Sequence, residues 1–252
     1  MDAMQSCPWC PDSKQKCALC ATSVCSKHVA VANGCCIACM KAVQDAVWDG
    51  RCTTTEEDLA MESIGGPEAA LYGELTPLGF RALAAHLRLT ADDSFVDLGS
   101  GLGRLAVQAA SEFGVRRAFG VEFAATRHEL AVAALEREAA GVSERVTLLE
   151  GDCAAPNLWT AGGPLGDRIT VVYAGSLMFS NELMDQLARL IEACPFPLRV
   201  VASLKQWASD QAPRGFVEQA PLYCESSWTA PRELTDERDP GTPVYVYARA
   251  QT

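Results

Sequence analysis

Basic residues are scarce in this chain: 21 Lys and Arg stand against 32 Asp and Glu, a formal net charge of -11 over 252 residues. Such a balance disfavours unassisted binding to a nucleic-acid phosphate backbone, so direct DNA binding is not expected. Long apolar runs are missing as well. The longest, such as Ile169 to Ala174, have the length of a strand, and the N-terminus carries neither a basic region nor an extended apolar stretch. An intracellular protein with no membrane association is therefore expected. Histidine is limited to three residues. With His28 best used as a metal ligand and His86 and His128 on predicted helices, imidazole acid-base chemistry has little to work with.

Cysteine is scarce only in one part of the chain. Of twelve, all but Cys153, Cys194 and Cys224 fall within the first 52 residues. This asymmetry marks a domain boundary. Ligand pairs recur as Cys7-x2-Cys10, Cys17-x2-Cys20, Cys25-x2-His28 and Cys36-x2-Cys39, seven thiolates and one imidazole, the set that two tetrahedral zinc ions need. So short a segment has too little core to fold without metal bonding. The alternation is similar to cross-brace zinc fingers; the pairing order and the choice of Cys35 or Cys36 stay open. Complete ligand sets leave no open coordination position, which makes the ions structural. The module balances its lysines with aspartates and shows no basic stripe, so its expected role is docking a protein substrate or partner.

Residues 1–52 thus read as a zinc-binding module, 53–75 as a polar linker and cofactor-covering loop, and 76–252 as the catalytic domain. From residue 76 onward the apolar pattern alternates between helix and strand periods. Helices are expected over 77–87, 102–112, 126–140 and 181–194, and strands over 95–98, 118–122, 146–150, 169–173 and 199–203. Late antiparallel strands are expected at 226–229 and 245–247. Such alternation implies an α/β fold, a Rossmann-like doubly wound, mostly parallel sheet with its ligand site at the carboxyl ends of the strands.

The first of those strands runs into Asp97-Leu98-Gly99-Ser100-Gly101-Leu102-Gly103, where alternating glycines let the backbone approach a ligand and adopt positive φ. Glu122 closes the second strand, where a carboxylate receives ribose hydroxyls; alone it does not separate NAD from S-adenosylmethionine. Asp97 inside the glycine loop does, since it would repel a pyrophosphate and suits a cationic amino-acid moiety. Asp152, after the third strand in Glu150-Gly151-Asp152, can accept from an adenine amino group. Together these carboxylates favour S-adenosylmethionine.

The order Tyr72-Gly73-Glu74, then the glycine loop, Gly120-Val121-Glu122, Glu150-Gly151-Asp152 and finally Ser227-Trp228-Thr229 resembles the disruptor-of-telomeric-silencing (Dot-type, non-SET) lysine methyltransferases over roughly residues 70 to 248. The resemblance implies a class I methyltransferase fold and a protein lysine N-methyltransferase activity that can extend to histone; the location expected is nuclear if histone is the acceptor and cytoplasmic otherwise. It implies that Tyr72, Gly73, Glu74 and Thr76 cover the cofactor's methionine end and that Asp97, Gly99, Ser100, Gly101 and Gly103 wrap it. Glu122 and Phe123 would then hold ribose, with Asp152 and Cys153 facing adenine. A lysine channel would be lined by Ala174 to Phe179 and by Trp228 and Thr229, with Tyr72, Phe179 and Trp228 as its walls. The family pattern has paired asparagines after its fourth strand, whereas this chain has Gly175-Ser176, so Ser176 becomes the residue expected to meet the acceptor amine. Lys205, after the fifth strand, lines the site or caps it and is assigned no catalytic role. Two alternatives stand beside this reading: methylation of a non-histone protein or small molecule, and a non-catalytic zinc-finger scaffold. Chelation of the metal should unfold residues 1–40 while sparing the cofactor site, as followed by hydrogen exchange alongside metal analysis; a finger that keeps its fold without metal would contradict the zinc assignment.

Overall fold

The computed structural model describes residues 15–16, 23–24, 53–65, 71, 73–138, 141–166, 168–227 and 241–250. The eight expected zinc ligands, together with Cys35, Tyr72, Trp228 and Thr229, lie outside the described residues. The chain divides into two units, Met1–Cys52 and Thr53–Thr252. In the first, β1 (Gln15–Lys16) and β2 (Ser23–Val24) pair antiparallel, with Gln15 opposite Val24.

The second unit opens with a correction. Residues expected as a linker form helix α1 (Thr55–Gly65). Its apolar residues are too few for a clear stripe, which hid it from periodicity, but its start is a capping box. The Thr54 N–H donates to Glu57 Oε2 (2.7 Å) and the Glu57 N–H donates back to Thr54 Oγ1 (3.2 Å). Glu57 also accepts from the Thr126 N–H (2.7 Å), which ties α1 to the first turn of helix α4 (Ala125–Glu138).

Helix α2 (Pro77–His86) begins with proline in its first turn and with Thr76 as its cap, whose hydroxyl accepts from the Gly79 N–H at 3.1 Å. Its Phe80 is fully buried, edge-on to Phe95 with ring centroids 5.5 Å apart. Burial of such a side chain contributes about 2–3 kcal/mol. Strands β3 (Ser94–Leu98), β4 (Arg117–Glu122), β5 (Val146–Glu150), β6 (Val171–Ala174) and β7 (Val200–Ser203) are parallel, with helices α3 (Arg104–Glu112) and α5 (Asn181–Ala193) among the crossovers. The order across the sheet is β5-β4-β3-β6-β7-β10-β8, where β10 (Thr242–Arg249) runs antiparallel to β7, β8 (Phe216–Glu218) and β9 (Leu222–Cys224). Strands β8 and β9, three residues each, are too short to show a periodicity that could be read in advance. Ser226, expected in a strand of its own, instead makes a single bridge to Leu75.

Alternation along the strands feeds two cores. Phe95, Val171, Tyr173 and Ala202 face α2 and α3, while Val96, Leu98, Val172 and Val201 pack with Leu187 and Ile191 of α5. The register aligns Leu98 with Val121 on one side and Ala174 on the other, so the parallel strands end level and the crossover reverses direction between β3 and β6. A crevice at that edge follows from the topology.

At the opposite edge Asp93 joins several elements. Its carboxylate receives Arg199 Nε and Nη2, both at 2.8 Å, Thr170 Oγ1 at 2.8 Å and the Thr90 N–H at 2.9 Å. Burial opposes its ionisation, but the Arg199, Thr170 and Thr90 hydrogen bonds prevail and hold it below its ordinary 3.8. A depressed carboxylate contributes stability that is complete above the unfolded value and lost as pH falls through the folded one. Asp93→Asn should cost about 1.5–3 kcal/mol at pH 7, and the difference from wild type should shrink below pH 3.8, as read from denaturant melts at both pH values.

Candidate functional site

Where β3 ends, Gly99, Gly101 and Gly103 take φ of +75°, +53° and +72°, a region that side chains disfavour. The turn folds back on β4: the N–H groups of Gly99 and Ser100 both donate to the Val121 carbonyl, at 2.9 and 3.0 Å. Its next N–H, from Gly101, reaches Glu122 Oε2 at 2.7 Å, and Glu122 Oε1 accepts the Ala124 N–H at 3.0 Å. A carboxylate has about four lone-pair positions, so two remain for a ligand. Glu122 is only 5% exposed and lies 3.9 Å from Arg127 Nη1.

Asp97 lies behind this turn, in register with Gly120 and Tyr173, and is 2% exposed. Its Oδ1 has no hydrogen-bond partner. Burial drives its carboxyl well above the usual range, with Glu74 and then Glu122 adding repulsion. Glu74 is itself buried and paired with Arg104. The 73–76 segment is pinned along 225–227: the Glu74 N–H donates to Ser227 Oγ (3.0 Å), and the Thr76 N–H donates to the Glu225 carbonyl (3.1 Å).

In front of the turn a cleft opens. Of the expected residues, Gly73, Gly99, Glu122, Phe123, Asp152, Cys153 and Phe179 line it. Asp152 is half-buried and accepts the Ala154 N–H at 2.8 Å; burial, followed by Asp152 and Glu122, raises the Cys153 thiol and keeps it neutral. The lining also includes Gly175 and Met178, from the 174–179 stretch expected to line the acceptor channel, and residues not foreseen: Met61 and Ile64 from α1, Leu71, Val121, Arg127 and Leu183. The Thr54-x-x-Glu57 box was the available signal for the α1 pair. Arg127 had none, since one arginine in the first turn of an amphipathic helix looks solvated.

Other expected contacts serve the frame of the cleft. Thr76 caps α2, Glu74 pairs with Arg104, and Ser100 packs on Gly120, where a Cβ would lie 2.7 Å from Ser100 Oγ. Gly101 gives its N–H to Glu122, and Gly103 starts α3. Ser176 is corrected: it is fully buried, and its Oγ accepts the Lys205 N–H at 3.1 Å instead of joining the cleft lining. His86 and His128 are also absent from the lining.

A scan against family profiles matches residues 67–214 to "Histone methylation protein DOT1". Among curated proteins, the chain is 40% identical over 60 residues to the "Histone-lysine N-methyltransferase, H3 lysine-79 specific" of Candida glabrata, a match covering 24% of this chain and 9% of that protein. It is 37% identical over 65 residues to a "Protein-lysine N-methyltransferase" of Saccharolobus islandicus, covering 26% of this chain and 39% of that one. The matched stretch therefore spans well under half of either relative. Among solved structures, TrmN from Thermus thermophilus superposes with a TM-score of 0.51 at 20% identity, covering 70% of this chain and 49% of that chain, which shows the shared fold. With well over half of its residues in the family profile and its strands in the class I methyltransferase arrangement, the chain belongs to the DOT1 histone methylation protein family.

Proposed function

We propose that this chain is an S-adenosylmethionine-dependent protein lysine N-methyltransferase of the Dot type, acting on histone or a related protein substrate. The observation that carries this reading is the Glu122 carboxylate. It is held by the Gly101 and Ala124 N–H groups, has two acceptor positions to spare, and stands on the wall of a cleft beside the glycine turn. The names of the two lysine methyltransferase relatives support the acceptor class, and the family supports the histone direction.

The residues present fit such a cofactor. Glu122 suits a pair of ribose hydroxyls, and Asp152 offers a carboxylate on the cleft wall for an amino group. Asp97 keeps an unpartnered buried oxygen behind the turn; burial, Glu74 and Glu122 oppose its ionisation, a cation beside it would favour the ionised form, and a pyrophosphate would not. When bound, S-adenosylmethionine supplies an electrophilic methyl on a sulfonium, open to in-line attack by a neutral amine. The protein's part is alignment and exclusion of water. Met178 and Phe179 wall the cleft next to Gly99 with apolar surface, which disfavours a charged ammonium and lowers the pKa of an entering lysine. No nucleophilic side chain is needed.

A second reading, a non-histone protein or a small molecule as acceptor, draws support from the acceptor loop, where Gly175 carries no side chain and the Ser176 hydroxyl is already bonded to Lys205. The N-terminal module enters as two structural zinc sites, Cys7, Cys10, Cys17, Cys20, Cys25, His28, Cys36 and Cys39, a donor set whose thiolates suit that ion. It would dock the substrate or a partner. Nuclear residence follows if histone is the acceptor. Among the described residues, no helix is long and apolar enough to cross a membrane.

Replacing the carboxylate removes hydrogen bonds to a charged group, so Glu122→Ala should weaken S-adenosylmethionine binding by about tenfold to a hundredfold in isothermal titration calorimetry. Equal affinity in variant and wild type would contradict the cofactor assignment.

A further inference from the structure

The loop between β6 and α5 carries Phe179, an aromatic wall of the cleft, and one residue from a different part of the chain ties that loop down. Gly175 is anchored to β3 through its N–H to the Leu98 carbonyl (2.9 Å), and Ser180 caps α5 through its Oγ and the Leu183 N–H (3.1 Å). Between these anchors the Ser176 hydroxyl and the Phe179 carbonyl both turn to Lys205. The Lys205 N–H donates to Ser176 Oγ at 3.1 Å, and Lys205 Nζ donates to the Phe179 carbonyl at 2.5 Å. Lys205 is in turn held by Ser203 Oγ, which donates to its carbonyl at 2.8 Å. Among the described residues no carboxylate forms an ion pair with Lys205, so its charge is directed at a loop carbonyl, an arrangement stronger than a neutral hydrogen bond.

The phenyl ring of Phe179 itself is tightly placed. A Cβ built on Gly99 would lie 3.2 Å from Phe179 Cζ, so the phenyl packs on the glycine turn where a cofactor would approach. We infer that Lys205 is a positioning residue for methyl transfer: its ammonium latches the 175–180 loop to the end of β7 and thereby sets the clearance between Phe179 and Gly99. The functional meaning of that clearance rests on the methyltransferase reading above; the latch itself does not.

The test uses the full chain with Lys205→Met, Lys205→Arg and Lys205→Gln, followed by hydrogen-exchange mass spectrometry with and without S-adenosylmethionine, and by calorimetry with the same probe. In Lys205→Met, amides 175–180 should exchange about tenfold faster or more, while those of β10 stay as in wild type. S-adenosylmethionine affinity should fall about threefold to tenfold. Lys205→Arg, which keeps a cationic donor, should restore both. Wild-type exchange at 175–180 in Lys205→Met, or failure of the arginine to restore it, would overturn the latch. If Lys205→Met also loosens β10, Lys205→Gln carries the comparison: faster exchange confined to 175–180 supports the latch, and wild-type exchange there overturns it. A wild-type protein whose Gly99–Arg104 amides gain no protection from S-adenosylmethionine would instead overturn the cofactor reading, leaving the latch to be judged on the ligand-free comparison.

Discussion

Two backbone N–H groups from separate segments, the glycine turn and the start of α4, converge on the Glu122 carboxylate, and the geometry of the site follows from that convergence. Gly101 brings the glycine turn to Oε2, and Ala124 brings the start of α4 to Oε1. A charge so buried is costly unless hydrogen-bonded, and here the bonds come from the segments that must be fixed for a ligand to find its shape. Arg127 at 3.9 Å adds a balancing charge and also reaches Met61 on α1, so the same carboxylate is linked indirectly to the helix that walls the cleft.

The fold separates this site from what stabilises it. At the amino ends of the strands, Arg199 donates to both the Asp93 carboxylate and the Leu87 carbonyl, joining β3, β7 and the end of α2. At the carboxyl ends three carboxyl groups crowd together: Glu74 and Glu122 are balanced by Arg104 and Arg127, while Asp97 keeps an unpartnered oxygen within range of both. Burying the Asp97 carboxyl without a partner costs stability, and a cation beside it would favour its ionised form. The opposed shifts of two buried aspartates, Asp93 downward and Asp97 upward, mark the structural end and the functional end of one sheet.

What could be read beforehand was what strong local chemistry dictates. The strands from Ser94 to Ser203 announced themselves as apolar runs, and Gly99, Glu122 and Asp152 fall at strand ends, where their roles depend on topology more than on side-chain detail. The α1 helix was missed because an apolar stripe was sought where a capping box, Thr54 with Glu57, was the signal. Ser176 was misjudged because a hydroxyl after the fourth strand was assumed to face the ligand, and only three dimensions show that the Lys205 N–H reaches it first. Arg127 and Lys205 matter through partners 66 and 26 residues away, pairings that no local pattern encodes.

The central claim is that a lysine receives the methyl group. Incubating the full chain with methyl-labelled S-adenosylmethionine and, in separate reactions, histones, nucleosomes and a whole lysate, followed by acid hydrolysis of the recovered protein, tests it most directly. The account predicts label in N-methylated lysine; label confined to small metabolites, or no transfer to any acceptor, would contradict it.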